Sequence, residues 1–406
     1  MKSIERILLI NGEFPPISGG GGIYTANLAY GLAKQNPNLQ ITVLAGNKDT
    51  SSIPCQEKLL SNLKVIRVPE LYLIDQGMVH IWQVTEALND IVATFRPDVV
   101  HTHHTYESLA AFLCKQTFNF KLIITVQKSP VRFFDEQIND PQWSLIRFLY
   151  KQTTYDGVVV NSQAYFQMAK LLGAREPIRL IYYGIDRERF KENSKLAQKV
   201  REDLNIQEGQ ILIVVPSRID ERKGIDIIAD ALSLIKYNYR HFYKRIKVVV
   251  AGASTCSKSL QYQEFLIKKI RKLKIQESIK LGYKNGNYNS MNGLYNAADL
   301  IVVPSIREGL GFAAIEGMAL KKPIIASDTV GLNEIVINNK NGLTFEVGNA
   351  KELARQILWA IENPAKLQRL AIKGFEWQKD KFLISSMTKE HLRFYQDILS
   401  GETSRG

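Results

Sequence analysis

The fold of this chain is decided by the stretch Leu300-Ile-Val-Val-Pro-Ser-Ile-Arg-Glu-Gly-Leu-Gly-Phe-Ala-Ala-Ile-Glu-Gly-Met-Ala319. Its first four residues form a short apolar run that Pro304 ends, and this pattern predicts a buried strand. The second half carries apolar residues at helical spacing, which predicts a helix. Glu308 therefore lies in a strand-to-helix loop, and Glu316 lies inside the helix. Both carboxylates are expected near the carboxyl edge of a sheet.

The start of this helix is expected to bind an anion. The first backbone N–H groups of a helix have no partner within it and carry the positive end of its dipole. Here they belong to Leu310, Gly311, Phe312 and Ala313. Carboxylates beside an anion site suit a ligand with several hydroxyl groups and a phosphate, and a sugar nucleotide has both. For either glutamate alone, a solvated surface turn is the simpler interpretation.

A second cluster, of two cations, favours the same ligand. The apolar run 210–216 indicates a strand, and Arg218 and Lys223 follow it in a loop that precedes an apolar-periodic helix. Arginine makes forked hydrogen bonds to phosphate, and lysine supplies a point charge. A solvated basic loop is the alternative, but the pair Glu308 and Glu316 makes a diphosphate-containing ligand the better interpretation.

Strand and helix patterns alternate along most of the chain, which is typical of doubly wound parallel sheets. A charged stretch without a strong apolar period, residues 191–209, separates two such sets and is predicted to be an interdomain linker. We therefore predict an α/β protein with two Rossmann-like domains, residues 1–190 and 210–375, and a terminal helical segment, 376–406. Both domains are expected to present the carboxyl ends of their strands to one central cleft.

These motifs resemble a known family. Arg-x4-Lys at 218–223, followed by Glu-x7-Glu at 308–316, resembles the retaining, nucleotide-sugar-dependent glycosyltransferases of family 4 (glycosyl transferases group 1), which have the GT-B fold. Further matches, which extend the resemblance over nearly the whole chain, are the glycine-rich segment 13–22, the Asp-Val-Val-His-Thr-His segment 98–103, the hinge motif 183–186 and the segment 324–335.

The resemblance implies a division of roles. Domain 1–190 would bind the acceptor, domain 210–375 would bind the nucleotide sugar, and the last helix would cross back onto the first domain. The implied catalytic residues are Arg218, Lys223 and Glu308. The implied donor-binding residues are Gly21, Gly22, Gln127, Arg218, Lys223, Glu308, Leu310, Gly311, Phe312, Ala313 and Glu316.

The resemblance also implies a mechanism. Arg218, Lys223 and the helix N-terminus would stabilise the diphosphate as the glycosidic bond breaks. Glu308 would orient the donor sugar, and Glu316 would bind the ribose diol. The acceptor hydroxyl would attack from the leaving-group face while a phosphate oxygen takes its proton, so that the configuration is retained. No metal ion is expected, because the cations take over its role. No separate cofactor is expected, because the nucleotide sugar is a co-substrate, and UDP is the family's commonest nucleotide.

Two positions depart from the family pattern. Gln127 stands where many relatives carry histidine on a loop that reaches the donor sugar, and Tyr183 replaces the usual asparagine. These differences concern the sugar and the acceptor, not the diphosphate. His101, His103 and His104 follow a strand without a second ligand cluster, so a metal site is not predicted. We expect these histidines to be packed or to line the acceptor site.

Three other classes fit parts of the pattern. A sugar-nucleotide 2-epimerase shares the architecture, but it would need acid and base carboxylates facing the sugar. A catalytically silent nucleotide-sugar-binding protein is disfavoured because the Arg-x4-Lys and Glu-x7-Glu residues are all present. An NAD-dependent dehydrogenase is disfavoured because the glycine run 19–22 lies well beyond the first strand. Its dinucleotide fingerprint would also need a third glycine where Tyr24 and Thr25 stand.

The net charge of +13 is concentrated in one segment. Residues 236–274 hold 11 basic residues and one acid, Glu264. Five of the basic residues lie on a predicted helix: Lys268, Lys269, Arg271, Lys272 and Lys274. This face is either solvated or attracted to an anionic membrane or polymer. Nucleic acid is not expected, because no recognised binding motif accompanies the charge.

The cysteines and the amino terminus indicate the compartment. Cys55, Cys114 and Cys256 lie far apart, form no metal pattern and favour a reducing compartment, with each expected in the core. No signal peptide precedes the strand 7–10, and no apolar run approaches the roughly 18 residues that span a membrane. We therefore expect a cytoplasmic protein, peripheral at the inner face of the membrane if the basic helix binds lipid.

Overall fold

The chain divides into two compact units. The computed structural model describes residues 3–16, 20–47, 55–72, 77–125, 141–254, 257–283 and 288–401. Unit 1 comprises Met1–Ile185 and Phe382–Gly406, and unit 2 comprises Asp186–Lys381. The chain therefore leaves unit 1 once and returns to it at its end.

Unit 1 is built on an eight-stranded sheet with the order β3-β4-β2-β1-β5-β6-β7-β8. Its strands are β1 Arg6–Asn11, β2 Gln40–Gly46, β3 Gln56–Leu60, β4 Leu63–Val68, β5 Val99–Thr102, β6 Lys121–Ile124, β7 Gly157–Val160 and β8 Ile178–Leu180. All pairs are parallel except the edge hairpin of β3 with β4. Consecutive residues of β1 are fully buried, as expected of a parallel strand that is covered on both faces.

The helices of unit 1 that precede unit 2 are α1 Gly20–Gln35, α2 Gly77–Phe95, α3 Thr105–Cys114, α4 Pro141–Gln152 and α5 Gln163–Leu171. The apolar faces of α2, α3, α4 and α5 join the strands in one core, which also holds the fully buried Trp143 of α4. Helix α5 begins where its sequence predicts a cap: the Ser162 hydroxyl accepts a hydrogen bond from the backbone N–H of Tyr165 at 3.1 Å.

Unit 2 contains a six-stranded parallel sheet with the order β11-β10-β9-β12-β13-β14. Its strands are β9 Ile211–Val215, β10 Ile246–Val250, β11 Ile279–Leu281, β12 Leu300–Val303, β13 Ile324–Ser327 and β14 Leu343–Phe345. Its helices are α6 Ser194–Asp203, α7 Ile225–Asn238, α8 Arg240–Tyr243, α9 Ser257–Lys272, α10 Tyr288–Ala297, α11 Phe312–Ala319, α12 Ala350–Glu362 and α13 Pro364–Gln378.

The last helix, α14 (Ile384–Ser400), belongs to unit 1 and packs against α1. The two helices approach closely because position 31 of α1 is glycine. A Cβ there would collide with the hydroxyl of Thr388. Gly157 of β7 similarly leaves room for the ring of Phe394. Glycine at these two positions therefore lets α14 pack against unit 1.

The predicted fold class is confirmed, since both units are doubly wound parallel α/β structures. The unit boundaries differ from the predicted domain boundaries. Residues 191–209, expected as a linker, lie in unit 2, where α6 packs against α10 with Val200 facing Gly293. In helix α6 only Val200 is buried, and a helix with one buried position needs no repeating apolar pattern in its sequence. The antiparallel β3 was also missed, because its residues are polar and only partly covered.

Cys114 is buried, but Cys55 is exposed, so the expectation that each cysteine lies in the core is wrong for Cys55; Cys256 lies outside the described residues. Among the described residues, no helix has the length and hydropathy needed to cross a membrane.

Candidate active site

The candidate site lies at the carboxyl edge of the unit 2 sheet, where the strand order reverses. Strand β9 pairs with β10 on one side and with β12 on the other. In open α/β sheets, such a switch point leaves a crevice in which ligands bind. The loop after β9 carries Arg218 and Lys223, and the loop after β12 carries Glu308. The topology therefore brings the two predicted motifs to one place.

The structure joins the two motifs by a direct ion pair. The Nζ atom of Lys223 lies 2.5 Å from Oε2 of Glu308, and both side chains are largely buried. The Ser305 hydroxyl donates to the same oxygen at 3.2 Å, and the backbone N–H of Gly309 donates to Oε1 at 3.2 Å. The sequence predicted both charged residues for this edge of the sheet but did not predict their pairing.

The carboxyl of Glu308 is held in its ionised form. Burial alone raises the pKa of this carboxyl, but the charge of Lys223 and the hydrogen bonds of Lys223, Gly309 and Ser305 outweigh burial and lower the pKa below its ordinary value. An ionised carboxylate can only accept hydrogen bonds. Glu308 is therefore suited to the hydroxyl groups of a ligand.

Backbone contacts from both neighbouring loops fix the position of Glu308. On the β9 side, the N–H of Ile306 donates to the carbonyl oxygen of Arg222 at 2.8 Å. On the β13 side, the Thr329 hydroxyl donates to the carbonyl oxygen of Ile306 at 3.0 Å. Gly331, at φ +88°, lies so close to the carbonyl of Gly309 that a Cβ would collide with it. The loop between β12 and α11 is thus supported on both sides.

Arg218 is the exposed cation of the site. The loop that carries it hydrogen-bonds to the loop after β10, where the N–H of Gly252 donates to the carbonyl of Ser217 at 2.9 Å. Further along the same loop, Asp220 receives two hydrogen bonds from the guanidinium of Arg222, at 3.1 and 2.9 Å. Arg222 therefore stabilises the loop, while the exposed Arg218 can reach a ligand.

The predicted helix start is present. Helix α11 begins at Phe312, and Gly311 is its N-cap residue at φ +91°, a conformation that favours glycine. A Cβ at position 311 would also collide with the side chain of Leu332. Leu310 is buried, whereas Phe312 and Ala313 are half-buried. The first turn of this eight-residue helix is placed beside the Glu308 loop, where its dipole favours an anion.

Glu316 lies one turn into α11 and is oriented by a tyrosine that the sequence analysis missed. The Tyr295 hydroxyl donates to Oε2 of Glu316 at 2.7 Å, and the Tyr295 side chain is fully buried. The same hydroxyl lies 3.3 Å from the carbonyl oxygen of Ala313. Tyr295 lies on α10, and the only sequence pattern that could have indicated its inward direction is the helical spacing of Leu294, Tyr295 and Ala298.

Of the three donor-binding residues predicted in unit 1, the structure describes two, Gly21 and Gly22. Gly21 and Gly22 lie in the first turn of α1, which begins at Gly20, so they form part of the helix and not of a preceding loop. Gly22 is needed for packing, because a Cβ there would collide with the carbonyl oxygen of Glu13. Gln127 lies outside the described residues. The binding roles of these three residues stay predictions.

A buried cluster of histidines and tyrosines lies in unit 1. Nδ1 of His103 donates to the carbonyl oxygen of Ile10 at 3.0 Å, and Nδ1 of His391 donates to that of Met387 at 2.8 Å. Because a carbonyl only accepts, each ring carries its proton on Nδ1 when neutral. Nε2 of His391 then accepts a hydrogen bond from the Tyr24 hydroxyl at 2.6 Å.

His101 completes this cluster. Its ring lies 4.4 Å from that of His103 and 5.8 Å from that of His391, measured between centroids. It hydrogen-bonds to the hydroxyls of Tyr395, at 2.6 Å, and Thr125, at 2.8 Å. His101 and His103 are thus packed, one of the two roles predicted for them. The contribution of His391 and Tyr395 from α14 was not predicted, because nearly 300 residues separate them from His101.

No metal centre is found in the part of the chain that the structure describes, where no group of three or more His, Cys, Asp or Glu side chains is arranged to hold an ion. The charged motif residues at the β9–β12 switch point are Arg218, Lys223 and Glu308, and Glu316 follows in helix α11.

Fold and site together define the class of the protein, which is a two-domain α/β glycosyltransferase. The chain belongs to the family described as glycosyl transferases group 1, whose profile matches residues 169–377, and the profile of glycosyltransferase family 4 matches residues 18–189. The family resemblance found in the sequence is thereby confirmed.

Relatives and solved structures agree with this assignment. The chain is 22% identical to an uncharacterised glycosyltransferase of Methanocaldococcus jannaschii, over 98% of this chain and 96% of that protein. Its fold is similar to that of a sucrose-phosphate synthase from Thermosynechococcus elongatus, with a TM-score of 0.86, 21% identity, and coverage of 98% of this chain and 100% of that one. It is also similar to Anabaena HepE in complex with UDP and glucose, with a TM-score of 0.78, 18% identity, and coverage of 97% and 100%.

Proposed function

We propose that this glycosyltransferase moves a hexosyl or N-acetylhexosaminyl unit from a nucleotide sugar to a hydroxyl acceptor, with retention of configuration. The observation that carries the proposal is the pairing of Lys223 with Glu308 at the β9–β12 switch point, with Arg218 exposed on the adjoining loop. This arrangement combines cations for a diphosphate with an ionised carboxylate for sugar hydroxyls.

The diphosphate would be bound by Arg218, Lys223 and the first turn of α11. Lys223 has three N–H donors, so it can keep Glu308 as one partner and turn another donor to a phosphate oxygen. As the glycosidic bond breaks, negative charge grows on the leaving diphosphate, and these preorganised groups stabilise it. The proposal needs no metal ion and no separate cofactor, because these groups supply the positive charge.

The two glutamates would orient the two ends of the donor. Glu308 accepts hydrogen bonds from hydroxyls of the transferred sugar, because its lowered pKa keeps it ionised near neutral pH. Glu316, oriented by Tyr295, binds the ribose diol. The acceptor hydroxyl attacks from the side of the leaving group and passes its proton to a phosphate oxygen, which retains the configuration at the anomeric carbon.

UDP is the proposed nucleotide, supported by the similar fold of HepE, which was solved with UDP and glucose. The proposed acceptor is a hydroxyl group on a lipid-linked glycan, a polysaccharide or a small polyol or aminocyclitol. An anionic membrane surface is a further proposed partner and would suit the lipid-linked acceptor. The protein would then act in the cytoplasm at the inner face of the membrane.

Incubation with labelled UDP-sugars tests the function without knowledge of the acceptor. We expect slow hydrolysis that releases UDP and free sugar. An epimerised nucleotide would indicate a 2-epimerase, and binding without turnover would indicate a silent binding protein; either result would contradict the proposal.

Two variants test the roles of the cations in the same assay. Arg218→Ala and Lys223→Ala should each lower kcat/KM for UDP release about 10²- to 10³-fold, because each removes a donor to the developing charge. Lys340→Ala, which removes an exposed lysine from a turn of the same unit, is the matched control and should leave turnover unchanged. Near-normal turnover in both site variants would remove this site from the mechanism.

A further inference from the structure

We propose that the outward face of helix α9, together with the end of α7, is a docking surface for an anionic lipid bilayer. The docking face is defined here as Lys258, Leu260, Phe265, Lys268, Arg271 and Lys272 of α9 and Tyr237 of α7. The inference extends the proposed function, since it gives the enzyme a surface at which a lipid-linked acceptor is presented. The inference depends on which side chains of α9 are exposed, and the sequence alone did not show this.

The basic residues of α9 point in two directions. Lys269 points inward and forms an ion pair with Asp230 of α7, with Nζ 2.7 Å from Oδ2. The side chains of Lys268, Arg271 and Lys272 are exposed and share one face through their spacing of three and four residues. Lys269 therefore holds α9 in place. These three cations, with the exposed Lys258 of the first turn, remain available to an external anion.

The opposite face of α9 is fixed in the core of unit 2. Leu266 and Ile270 are buried there, and the Tyr262 hydroxyl donates to Asp226 of α7 at 2.7 Å. The helix is thus a fixed part of unit 2 that presents its basic side outward. It can bind a surface without leaving its place in the fold.

Apolar side chains lie among these exposed cations. Leu260 is 55% exposed and Phe265 is 49% exposed, and they lie on either side of the row that contains Lys268. Tyr237 is 72% exposed and follows Asp230 by seven residues, so it lies on the side of α7 that faces α9. Cations flanked by exposed aromatic and aliphatic groups fit the boundary between lipid headgroups and acyl chains.

The charge of this face favours an anionic surface. Residues 236–274 hold 11 basic residues and one acid, and that acid, Glu264, is the acidic residue on the exposed side of α9. A lysine or arginine close to an anionic leaflet strengthens binding about five-fold. Soluble polyanions would use the cations alone, whereas a bilayer also takes up the exposed Leu260 and Phe265. The combination therefore favours a bilayer over nucleic acid.

Co-sedimentation with vesicles tests the surface. The full chain should bind vesicles of phosphatidylcholine with phosphatidylglycerol at about 0.05 M salt and not vesicles of phosphatidylcholine alone. Binding should be lost at about 0.5 M salt, where the Debye length falls below about 5 Å. Absence of binding at low salt would overturn the proposal, as would equally tight binding to uncharged vesicles.

Two double variants, one on α9 and one on α13, test whether vesicles bind at α9. Lys268→Gln/Arg271→Gln should weaken vesicle binding about 25-fold, from two losses of about five-fold. The matched control, Lys366→Gln/Arg369→Gln on α13, changes the same residue types at the same spacing on another exposed face and should bind like the unchanged chain. Equal losses in both would show that only net charge matters, which would overturn the proposal.

Two further measurements separate the remaining outcomes. Phe265→Ser should weaken vesicle binding by a factor that does not change with salt, because it removes apolar contact only. If heparin binds the chain while vesicles do not, the surface recognises soluble polyanions and the bilayer proposal fails. UDP-sugar hydrolysis, measured in solution for each variant, should stay unchanged. Loss of lipid binding with normal hydrolysis would concern this surface alone, and absent hydrolysis with normal lipid binding would concern the proposed function alone.

Discussion

Acidification should weaken the attachment of α14 to unit 1 through the histidine cluster. Burial lowers the pKa of His103 to about 3 and that of His391 to about 4. Burial and the neighbouring rings of His103 and His391 place the pKa of His101 well below its ordinary value. All three are therefore neutral in the folded chain at pH 7, and His391 lies on α14 itself.

The sign of the effect follows from proton uptake. An unfolded histidine has a pKa of about 6.5, so the unfolded chain takes up protons first as the pH falls. The stability that the neutral rings contribute is complete above pH 6.5 and is lost as the pH falls, down to about pH 4 for His391 and about pH 3 for His103. Glu107 changes the stability in the opposite direction. Burial raises the pKa of its carboxyl, so as the pH falls the folded chain takes up this proton before the unfolded chain does.

The magnitude can be worked out at pH 5.5. With an unfolded pKa of about 6.5 and folded pKa values of about 4 and about 3, His391 and His103 each favour the unfolded state by about 1.4 kcal/mol relative to pH 7.5. Together these two groups give about 3 kcal/mol, which is a large part of the stability of an ordinary domain. The lowered pKa of His101 acts in the same direction. The carboxylates whose pKa is lowered, such as Asp156 and Glu308, lose their contribution below this pH range.

The variant His391→Gln isolates one of the three groups. A glutamine side chain does not titrate but can still accept a hydrogen bond from the Tyr24 hydroxyl. Any packing cost of the substitution is common to both pH values and cancels in their difference. The loss of stability between pH 7.5 and 5.5 should therefore be about 1.4 kcal/mol smaller than in the unchanged chain. His241→Gln, on helix α8, is the control, because this residue lies in unit 2 and is not part of the histidine cluster.

Hydrogen exchange measured by mass spectrometry on peptides from 384–400 reports the opening free energy of α14 directly. This local readout avoids the assumption that two units unfold in one step. The reasoning would be refuted if α14 were equally protected at pH 7.5 and 5.5 after correction for intrinsic exchange. It would also be refuted if His391→Gln and His241→Gln gave the same pH dependence.

Three further predictions concern turnover with a fixed UDP-sugar. Tyr295→Phe should raise KM about 2- to 12-fold with little change in kcat, because Glu316 loses a hydrogen bond worth about 0.5–1.5 kcal/mol; an unchanged KM would contradict the orienting role. Gly331→Ala should lower both kcat/KM and the melting temperature, since its left-handed backbone and the carbonyl of Gly309 leave no room for a Cβ; calorimetry and kinetics that match the unchanged chain would count against this packing. Gln127→Ala should cost only about 0.5–1.5 kcal/mol, and a loss above about 10⁴-fold would show that Gln127 takes part in the chemistry.

Much of the candidate site could be predicted from local sequence. Arg218 and Lys223 follow one apolar strand, and Glu308 and Glu316 follow another in a strand–loop–helix frame. Parallel strands place their carboxyl ends on one edge, so both motifs had to lie on the same side of the sheet. The pairing of Lys223 with Glu308 could not be predicted, because it requires β9 and β12 to be neighbours. The strand order decides which strands are adjacent: β12 pairs with one edge of β9, and β10, followed by β11, lies on its other edge.

The sequence by itself determined the alternating α/β pattern, the family and the charges at the strand ends, because these depend on residues close together in the chain. Tertiary structure decided which way those charges point and what they meet. Lys268 and Lys269 are chemically identical neighbours, yet helix rotation exposes the first and pairs the second with Asp230. His391 meets the β5 histidines only because α14 returns to unit 1. Contacts between residues so distant in the chain depend on tertiary packing, so a local sequence pattern cannot predict them.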